Sequence, residues 1–128
     1  MQREMSPKIK LQFYCGHEIA MGPGKADLLE AIEREGSISG AGRAMGMSYR
    51  RAWMLVDTMN RCWREPLVAT RPGHSRQGGA VLTDLGRAVL ADYRALLRRL
   101  SEGTQCPERD SLTRALREQP QEVSPAKR

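Results

Sequence analysis

Four consecutive residues at positions 48–51 combine a helix-capping side chain with groups that bind anions. Ser48 is a favourable N-cap, because its hydroxyl can accept a hydrogen bond from an orphan N–H of the first helical turn. Tyr49, Arg50 and Arg51 then fall within that first turn. Cations there oppose the helix dipole, so they do not help the helix to form. Their placement is better explained by an anion outside the protein, such as a phosphate.

The preceding residues predict a shorter helix that leads into this one. Gly36 suits the C′ position of an earlier helix, and Ser39 can cap the short helix. Gly46 ends the short helix after about two turns, and Met47 buries the turn. The inward positions of the short helix are Ala41, Ala44 and Met45. Two helices joined by a tight turn are typical of a helix-turn-helix that binds DNA. The alternative is a helical hairpin with a solvated basic face.

Charge agrees with the DNA interpretation. The chain of 128 residues has a net charge of +6, and residues 43–79 contain seven arginines against two acidic residues. Nearly the whole positive excess therefore coincides with the helix-turn-helix, as phosphate binding requires. A basic helix on a membrane surface is the competing interpretation. It is disfavoured because no segment joins a wide apolar face to a lysine-rich face. We therefore expect double-stranded DNA and no membrane as a partner.

Length and composition predict one domain over residues 1–102 and a mostly disordered charged tail over residues 103–128, with a short helix at 111–118. Neither a signal-peptide core nor an apolar run of membrane-spanning length occurs, so we expect a cytoplasmic protein. Three widely spaced cysteines do not form a disulfide framework, and Cys62 is predicted to be a small buried hydrophobe. Cys15 and His17 lack a partner pair for a metal site. With only two histidines and no recognisable catalytic spacing, we do not expect an enzyme.

The remaining elements are predicted from hydrophobic periodicity. Strict alternation predicts a strand over residues 8–14, a turn over 15–17 and a return strand over 18–21. Pro23 suits the first position of a helix, whose apolar stripe contains Leu28, Leu29, Ala31 and Ile32. The second helix of the helix-turn-helix should run over residues 49–64. Its inward stripe consists of Ala52, Leu55, Val56, Met59 and Trp63.

Two short strands, at residues 67–70 and 80–82, enclose a basic, glycine-rich loop that has the form of a wing. Thr83 can cap the last long helix, at residues 84–101. The apolar stripe of that helix is wide enough to cover the core and a partner helix. We therefore predict a homodimer, with an interface that contains Leu85, Val89, Leu96 and Leu100.

The complete order of motifs resembles the N-terminal DNA-binding domain of the molybdate-responsive, ModE-type transcriptional regulators, which is similar in its motif to the LysR-type regulators. The resemblance rests on GSIS at 36–39, MSYRRAW at 47–53, Met59 with Asn60, GGAVLT at 78–83 and LGRAVL at 85–90. It implies a mainly α fold with small β elements: a winged helix-turn-helix with an N-terminal β-hairpin and a long C-terminal dimerisation helix. It also implies a bacterial, sequence-specific transcriptional regulator linked to molybdenum-related genes.

Two departures limit what the resemblance implies. The family carries β-rich, molybdate-binding modules after the long helix, whereas residues 103–128 lack alternating strands. We therefore expect no cofactor here, and a small-molecule effector stays unidentified. Gly42 also stands where such motifs favour alanine, which still permits a close approach of the two helices at some cost in helix propensity.

The predicted DNA contacts lie on both helices of the motif and on the wing. Arg50 points away from the apolar stripe and is assigned to the major groove, whereas Arg51 is assigned to the phosphate backbone. The full set is Ser37, Ser39, Arg43, Ser48, Tyr49, Arg50, Arg51, Arg71, His74, Ser75, Arg76 and Gln77. Two alternatives stay open at this point: an interaction module whose basic face meets an acidic protein, and an architectural protein that binds DNA without sequence preference.

Overall fold

The computed structural model describes residues 7–71 and 79–123. Its elements are β1 (Phe13–Cys15), β2 (Glu18–Met21), α1 (Pro23–Glu35), α2 (Ile38–Ala44), α3 (Tyr49–Cys62), β3 (Val68–Arg71), β4 (Gly79–Leu82), α4 (Asp84–Glu102) and α5 (Pro107–Ala115). The strands form two antiparallel hairpins, β1–β2 and β3–β4. The predicted fold class, mainly helical with small β elements in winged-helix order, is confirmed.

The N-terminal hairpin is shorter than predicted. Only residues 13–15 pair with β2, through a register that shifts between Phe13 and Tyr14, and residues 8–12 are not strand. The reason is that β2 has four residues before Gly22 and Pro23 begin α1, so the earlier residues find no partner strand. Helix α1 agrees with its prediction, since the predicted stripe of Leu28, Leu29, Ala31 and Ile32 is buried.

Helix α2 begins one residue after Ser37, not after Ser39. The Ser37 hydroxyl accepts a hydrogen bond from the Gly40 N–H at 2.9 Å, so the predicted Ser39 cap is wrong. Burial of Ile38 in the first turn fixes this start. The same phase turns Ala44 outward, so its predicted inward packing is also wrong, whereas Ala41 is buried. Gly46 ends the helix at a φ of 70°, as predicted.

Helix α3 packs on the core with the predicted face. Ala52, Val56 and Met59 are buried, and Leu55 and Trp63 pack partly buried against the same core. The close approach predicted for Gly42 is present, because a Cβ there would lie 3.2 Å from the Ala52 Cβ.

The C-terminal end of α3 differs from its prediction in two respects. The helix ends at Cys62, two residues early, because Trp63 is extended and donates its indole N–H to the Ala20 carbonyl at 3.1 Å. Cys62 is half-buried and not fully buried. Burial raises the pKa of the Cys62 thiol, and a hydrogen bond with the Cys15 side chain raises it further.

The β3–β4 hairpin is attached to both neighbouring helices. The Asn60 side chain accepts hydrogen bonds from the Leu67 and Val68 N–H groups at 2.8 and 3.1 Å and donates to the Val68 carbonyl at 3.1 Å. On the other side, Thr83 caps α4 as predicted, accepting from the Gly86 N–H at 2.9 Å. Gly86 packs directly on the Leu67 backbone: a Cβ there would lie 2.1 Å from the Leu67 carbonyl oxygen. The wing base therefore has a fixed position relative to α3 and α4.

Helix α4 is joined to the first half of the chain through its inward face. The Tyr93 hydroxyl donates to the Leu11 carbonyl at 2.8 Å, and Arg94 pairs with Asp27 and Glu30 at 2.8 Å each. The helix in the tail is α5, which lies at Pro107–Ala115 and not at 111–118, since Pro107 occupies its first turn. None of its residues is buried.

Candidate nucleic-acid interface

The first turn of α3 is held by Ser48 and presents its cations to solvent. The Ser48 hydroxyl accepts a hydrogen bond from the Arg51 N–H at 3.0 Å, which confirms the predicted cap. The first turn contains no acidic residue, and Tyr49, Arg50 and Arg51 are exposed. In the part of the chain that the structure describes, neither Arg50 nor Arg51 forms an ion pair. Two cations at a helix N-terminus therefore face water.

Tyr49 and Trp53 form a fixed aromatic pair beside these arginines. The indole N–H of Trp53 donates to the Tyr49 hydroxyl, and the two rings meet edge to face with centroids 6.5 Å apart. The Tyr49 hydroxyl accepts this hydrogen bond and can still donate its own hydrogen to an acceptor such as a phosphate oxygen. The polar atom of Trp53 is satisfied inside the protein, so that its ring offers carbon atoms to a partner.

The outward face of α3 continues from Arg50 at helical spacing. Met54, Asp57 and Arg61 are exposed there. Asp57 and Arg61 pair at 2.9 Å, and the hydrogen bond that the Arg61 guanidinium donates to the Asp57 carboxylate raises the pKa of Arg61. The face is therefore cationic at its N-terminal end, apolar in the middle and internally neutralised at its C-terminal end.

Lys25 is a cation of this region that sequence reasoning missed. Partial burial lowers the pKa of the Lys25 ammonium, and the nearby charge of Arg51 lowers the same pKa, whereas Cys62 and Glu18 act in the opposite direction. Lys25 follows Pro23 in the first turn of α1, so its phase in that helix does not reveal that Arg51 is near. A phosphate beside Arg51 would offset part of the repulsion between these two cations.

The three DNA contacts predicted in and beside α2 differ in how accessible their side chains are. Arg43 is exposed in the last turn, where it is accessible to a ligand. Ser37 is half-buried and uses its hydroxyl oxygen as the cap. The Ser39 hydroxyl oxygen is buried and has no hydrogen-bond partner in the described structure. Its orientation does not present it to DNA.

Part of the wing is described. Arg71 is exposed at the end of β3, and the Ala80 N–H donates to the Gly36 carbonyl at 2.9 Å. This bond places β4 beside the turn that leads into α2, so Arg71 and Ser37 lie in one region of the surface. The other predicted wing contacts lie outside the described residues: His74, Ser75, Arg76 and Gln77.

The predicted dimer residues divide along α4. Leu85 and Val89 are half-buried against the core, whereas Leu96 and Leu100 are 37% and 39% exposed. An apolar pocket of about 220 Å³ opens next to them. It is lined by Phe13, Met21, Trp63, Val89, Asp92, Tyr93 and Leu96. Leu96 therefore borders a concave apolar surface, which the sequence pattern alone did not predict.

The described residues contain neither a membrane-spanning helix nor a metal-binding cluster. No helix among them has the length and apolar character needed to cross a membrane. Within the same residues, no group of three or more His, Cys, Asp or Glu side chains is arranged to hold a metal ion.

Comparison with known proteins gives one group of relatives. "Molybdenum transport protein ModE" of Azotobacter vinelandii is 49% identical over 77 residues, which are 60% of this chain and 28% of that protein. "Molybdenum-pterin-binding protein MopB" of Rhodobacter capsulatus is 46% identical over 76 residues, 59% of this chain and 28% of that protein. "DNA-binding transcriptional dual regulator ModE" of Escherichia coli K12 is 34% identical over 93 residues, 73% of this chain and 34% of that protein.

Among solved structures, the full-length LTTR LysG of Corynebacterium glutamicum with bound arginine matches at 25% identity and a TM-score of 0.49. The match covers 73% of this chain and 28% of that one. No family profile matches the chain. The chain spans about a third or less of the length of the relatives named above. The resemblance that the motifs predicted is confirmed: over the matched residues, this chain is a homologue of the ModE proteins.

Proposed function

We propose that this chain is a sequence-specific, DNA-binding transcriptional regulator that acts as a homodimer. The observation that carries the proposal is the exposed first turn of α3, where Arg50 and Arg51 lie without an ion-pair partner among the described residues. Arginine at this position can donate two hydrogen bonds to guanine O6 and N7, or bind phosphate. The relative from Escherichia coli is named a DNA-binding transcriptional regulator, which supports the same function.

We assign separate roles to the residues of the interface. Arg50 enters the major groove, because its side chain lies on the face of α3 opposite the buried residues. Arg51 and the nearby Lys25 bind the phosphate backbone. Ser48 and Tyr49 bind the phosphate backbone as well. Arg43 on α2 and Arg71 at the base of the wing bind flanking phosphates.

A homodimer follows from the size of a single recognition helix. One helix reads only a few base pairs, so two of them are usually placed about 34 Å apart on a near-palindromic site. The surface formed by Val89, Leu96 and Leu100 beside the apolar pocket is the best candidate for the dimer contact. A second copy would bring a matching row of leucines to it.

The link to molybdenum rests on the names of the relatives. We propose this link only for the genes that the chain regulates. The matched stretch is about a third or less of each relative, and no molybdate site is assigned to the residues of this chain. We propose that the chain binds upstream of genes that serve molybdenum use.

The experiment that tests the function is selection of duplexes from a random library by the full chain, followed by a salt titration. Sequence-specific binding predicts an enriched near-palindrome and a linear fall of log K with log salt, at about 0.9 per phosphate contact. A random duplex should compete weakly. Equal competition by random duplex would favour the architectural alternative. The absence of any duplex binding at low salt would contradict the proposal and favour an acidic protein as the partner.

A further inference from the structure

The middle of the outward face of α3 is apolar, although its two ends are charged. Met54 is 58% exposed and Trp53 is 38% exposed. Together with Asp57, Thr58 and Arg61 they border an open depression of about 270 Å³. Single exposed apolar residues are ordinary on protein surfaces. Trp53 and Met54, however, are neighbours on the helix that we propose enters DNA, and they lie between Arg50 and the Asp57–Arg61 ion pair. This arrangement favours an apolar group on the partner.

The chemistry of these side chains restricts what that partner can be. The indole N–H of Trp53 is used by Tyr49, and a thioether is a weak hydrogen-bond acceptor, so neither residue can read a base by strong hydrogen bonds. The apolar group that the major groove displays is the C5 methyl of thymine. We infer that Met54, with Trp53 as a side wall, reads a thymine methyl group in the bound DNA. This inference rests on the proposed function and names its specificity.

Charge and geometry give the position of that thymine. Arg50 and Met54 are four residues apart on one face, which corresponds to about 6 Å along the helix axis. Base pairs are spaced about 3.4 Å apart along the duplex. The thymine should therefore lie within about two base pairs of the base that Arg50 contacts. Asp57 and Arg61 neutralise each other's charge, so this ion pair neither attracts nor repels a phosphate.

The test replaces thymine by uracil, one position at a time, in a duplex selected by the wild-type chain. This substitution removes one methyl group and leaves the hydrogen-bonding edges unchanged. We expect about fourfold weaker binding at one position in each half-site, the factor for loss of one buried carbon, and no change elsewhere. The Met54→Ala variant should bind the thymine duplex more weakly by a similar factor and should no longer distinguish thymine from uracil at that position.

Two further variants test whether the effect of Met54→Ala is specific to the apolar side chain at this position. Met54→Gln keeps the length of the side chain but makes it polar, and it should lose the thymine preference as well. Leu112→Ala, which removes a 70% exposed leucine from α5, is the matched control and should keep the preference. Helix content of each variant is checked by circular dichroism, and Gln at an exposed helical position is well tolerated.

The outcomes separate this inference from the proposed function. If the wild-type chain binds its selected duplex with a steep salt dependence but tolerates uracil at every position, the methyl-reading role is wrong and the regulator function stands. The same conclusion follows if Met54→Ala and Met54→Gln retain the thymine preference. If no duplex is selected, the proposed function itself fails, and the inference fails with it.

Discussion

Helices α3 and α4 each bury one face in the same core, yet their outward faces differ in chemistry. The outward face of α3 carries Met54, an aromatic pair and two arginines that form no ion pair within residues 7–71 and 79–123. The outward face of α4 carries Leu96 and Leu100 next to an apolar pocket. The inward faces of both helices are alike in kind, since each is a stripe of apolar residues in the same core. An aromatic side chain donates a hydrogen bond to a backbone carbonyl in each case: Trp63, directly after α3, and Tyr93, within α4.

The difference shows which part of an amphipathic pattern carries function. The inward stripe of each helix fixes the fold and says little about partners. The outward residues cost stability or solubility unless something covers them: cations at a helix N-terminus oppose the dipole, and exposed leucines contact water. A polyanion is the partner that suits the outward face of α3, whereas another apolar surface suits the outward face of α4. The predictions below separate these two roles, beginning with the largest effect.

Substitution of Gly86 should disturb both faces at once, because it sets the position of α4 against the wing. A Cβ at Gly86 would lie 2.1 Å from the Leu67 carbonyl oxygen, which is backbone and cannot move aside. We expect Gly86→Ala to lower the free energy of unfolding by about 3 kcal/mol or more. Gly24→Ala is the matched control: it lies in α1 with open space around its Cβ and should be neutral or stabilising. Urea denaturation measures both, and equal stability of the two variants would contradict the close packing.

Charging the leucines of α4 should break assembly without harming the fold. In Leu96→Glu with Leu100→Glu, two exposed positions change, so the monomer should keep its circular dichroism spectrum. We expect monomers by light scattering, and binding to a near-palindromic duplex about a hundredfold weaker, since linkage of the two recognition helices is lost. The control pair, Leu112→Glu on α5 with Leu116→Glu directly after it, should leave the dimer intact. A wild-type chain that is monomeric at micromolar concentration would rule out this interface.

Arg50 and Arg51 should respond differently, although they are adjacent. Arg50→Ala should weaken specific binding by about 1–3 kcal/mol and relax the preference at one base pair. Arg51→Ala should weaken binding to all sequences more evenly and reduce the salt slope by about one contact. Competition with duplexes that vary at single positions distinguishes these patterns. Wild-type affinity in the double variant would remove α3 from the interface.

Arg71 tests whether the base of the wing belongs to the same surface as α3. It is exposed at the end of β3, near the start of α2. Arg71→Ala should reduce the salt slope by about one phosphate contact and leave thermal stability unchanged. Arg114→Ala on α5 removes the same charge from an element with no buried residue, and it should not change the slope. Identical slopes for the two variants would confine the interface to the helix-turn-helix.

The order of elements and most of the core could be predicted from the sequence, because apolar periodicity and capping residues act locally. Thr83, Ser48 and the stripe of α3 are examples, since each depends on neighbours within one or two turns. The choice between Ser37 and Ser39 could not be predicted from local rules. Either serine can cap a helix, and burial of Ile38 against distant residues decides between them.

Two missed features of the molecule share a cause: each depends on a contact between separate elements of the fold. Lys25 approaches Arg51 only because α1 and α3 pack together. Asn60 fixes the wing through backbone groups seven and eight residues later. Tertiary contacts of this kind leave no periodic signal in the sequence.

Tyr93→Phe should have the smallest effect, and it tests the inward face of α4 alone. The substitution removes the hydrogen bond from the hydroxyl to the Leu11 carbonyl, at a cost of about 0.5–1.5 kcal/mol in the free energy of unfolding at neutral pH. Since this change lies on the inward face, dimer formation and DNA binding should not change.

The pH dependence of that cost gives the sharper test. Burial raises the pKa of the Tyr93 hydroxyl above its ordinary value of 10.0. The folded chain therefore retains this proton at a pH where the unfolded chain loses it. The contribution is fully present below pH 10 and is lost as the pH rises through the raised value, so the stability advantage of the wild-type chain over Tyr93→Phe should shrink above pH 10. Urea denaturation of both proteins between pH 7 and pH 11 measures this. A constant difference across that range would mean that the Tyr93 hydroxyl titrates alike in the folded and unfolded chains, and that this anchor of α4 is more open to water than the structure indicates.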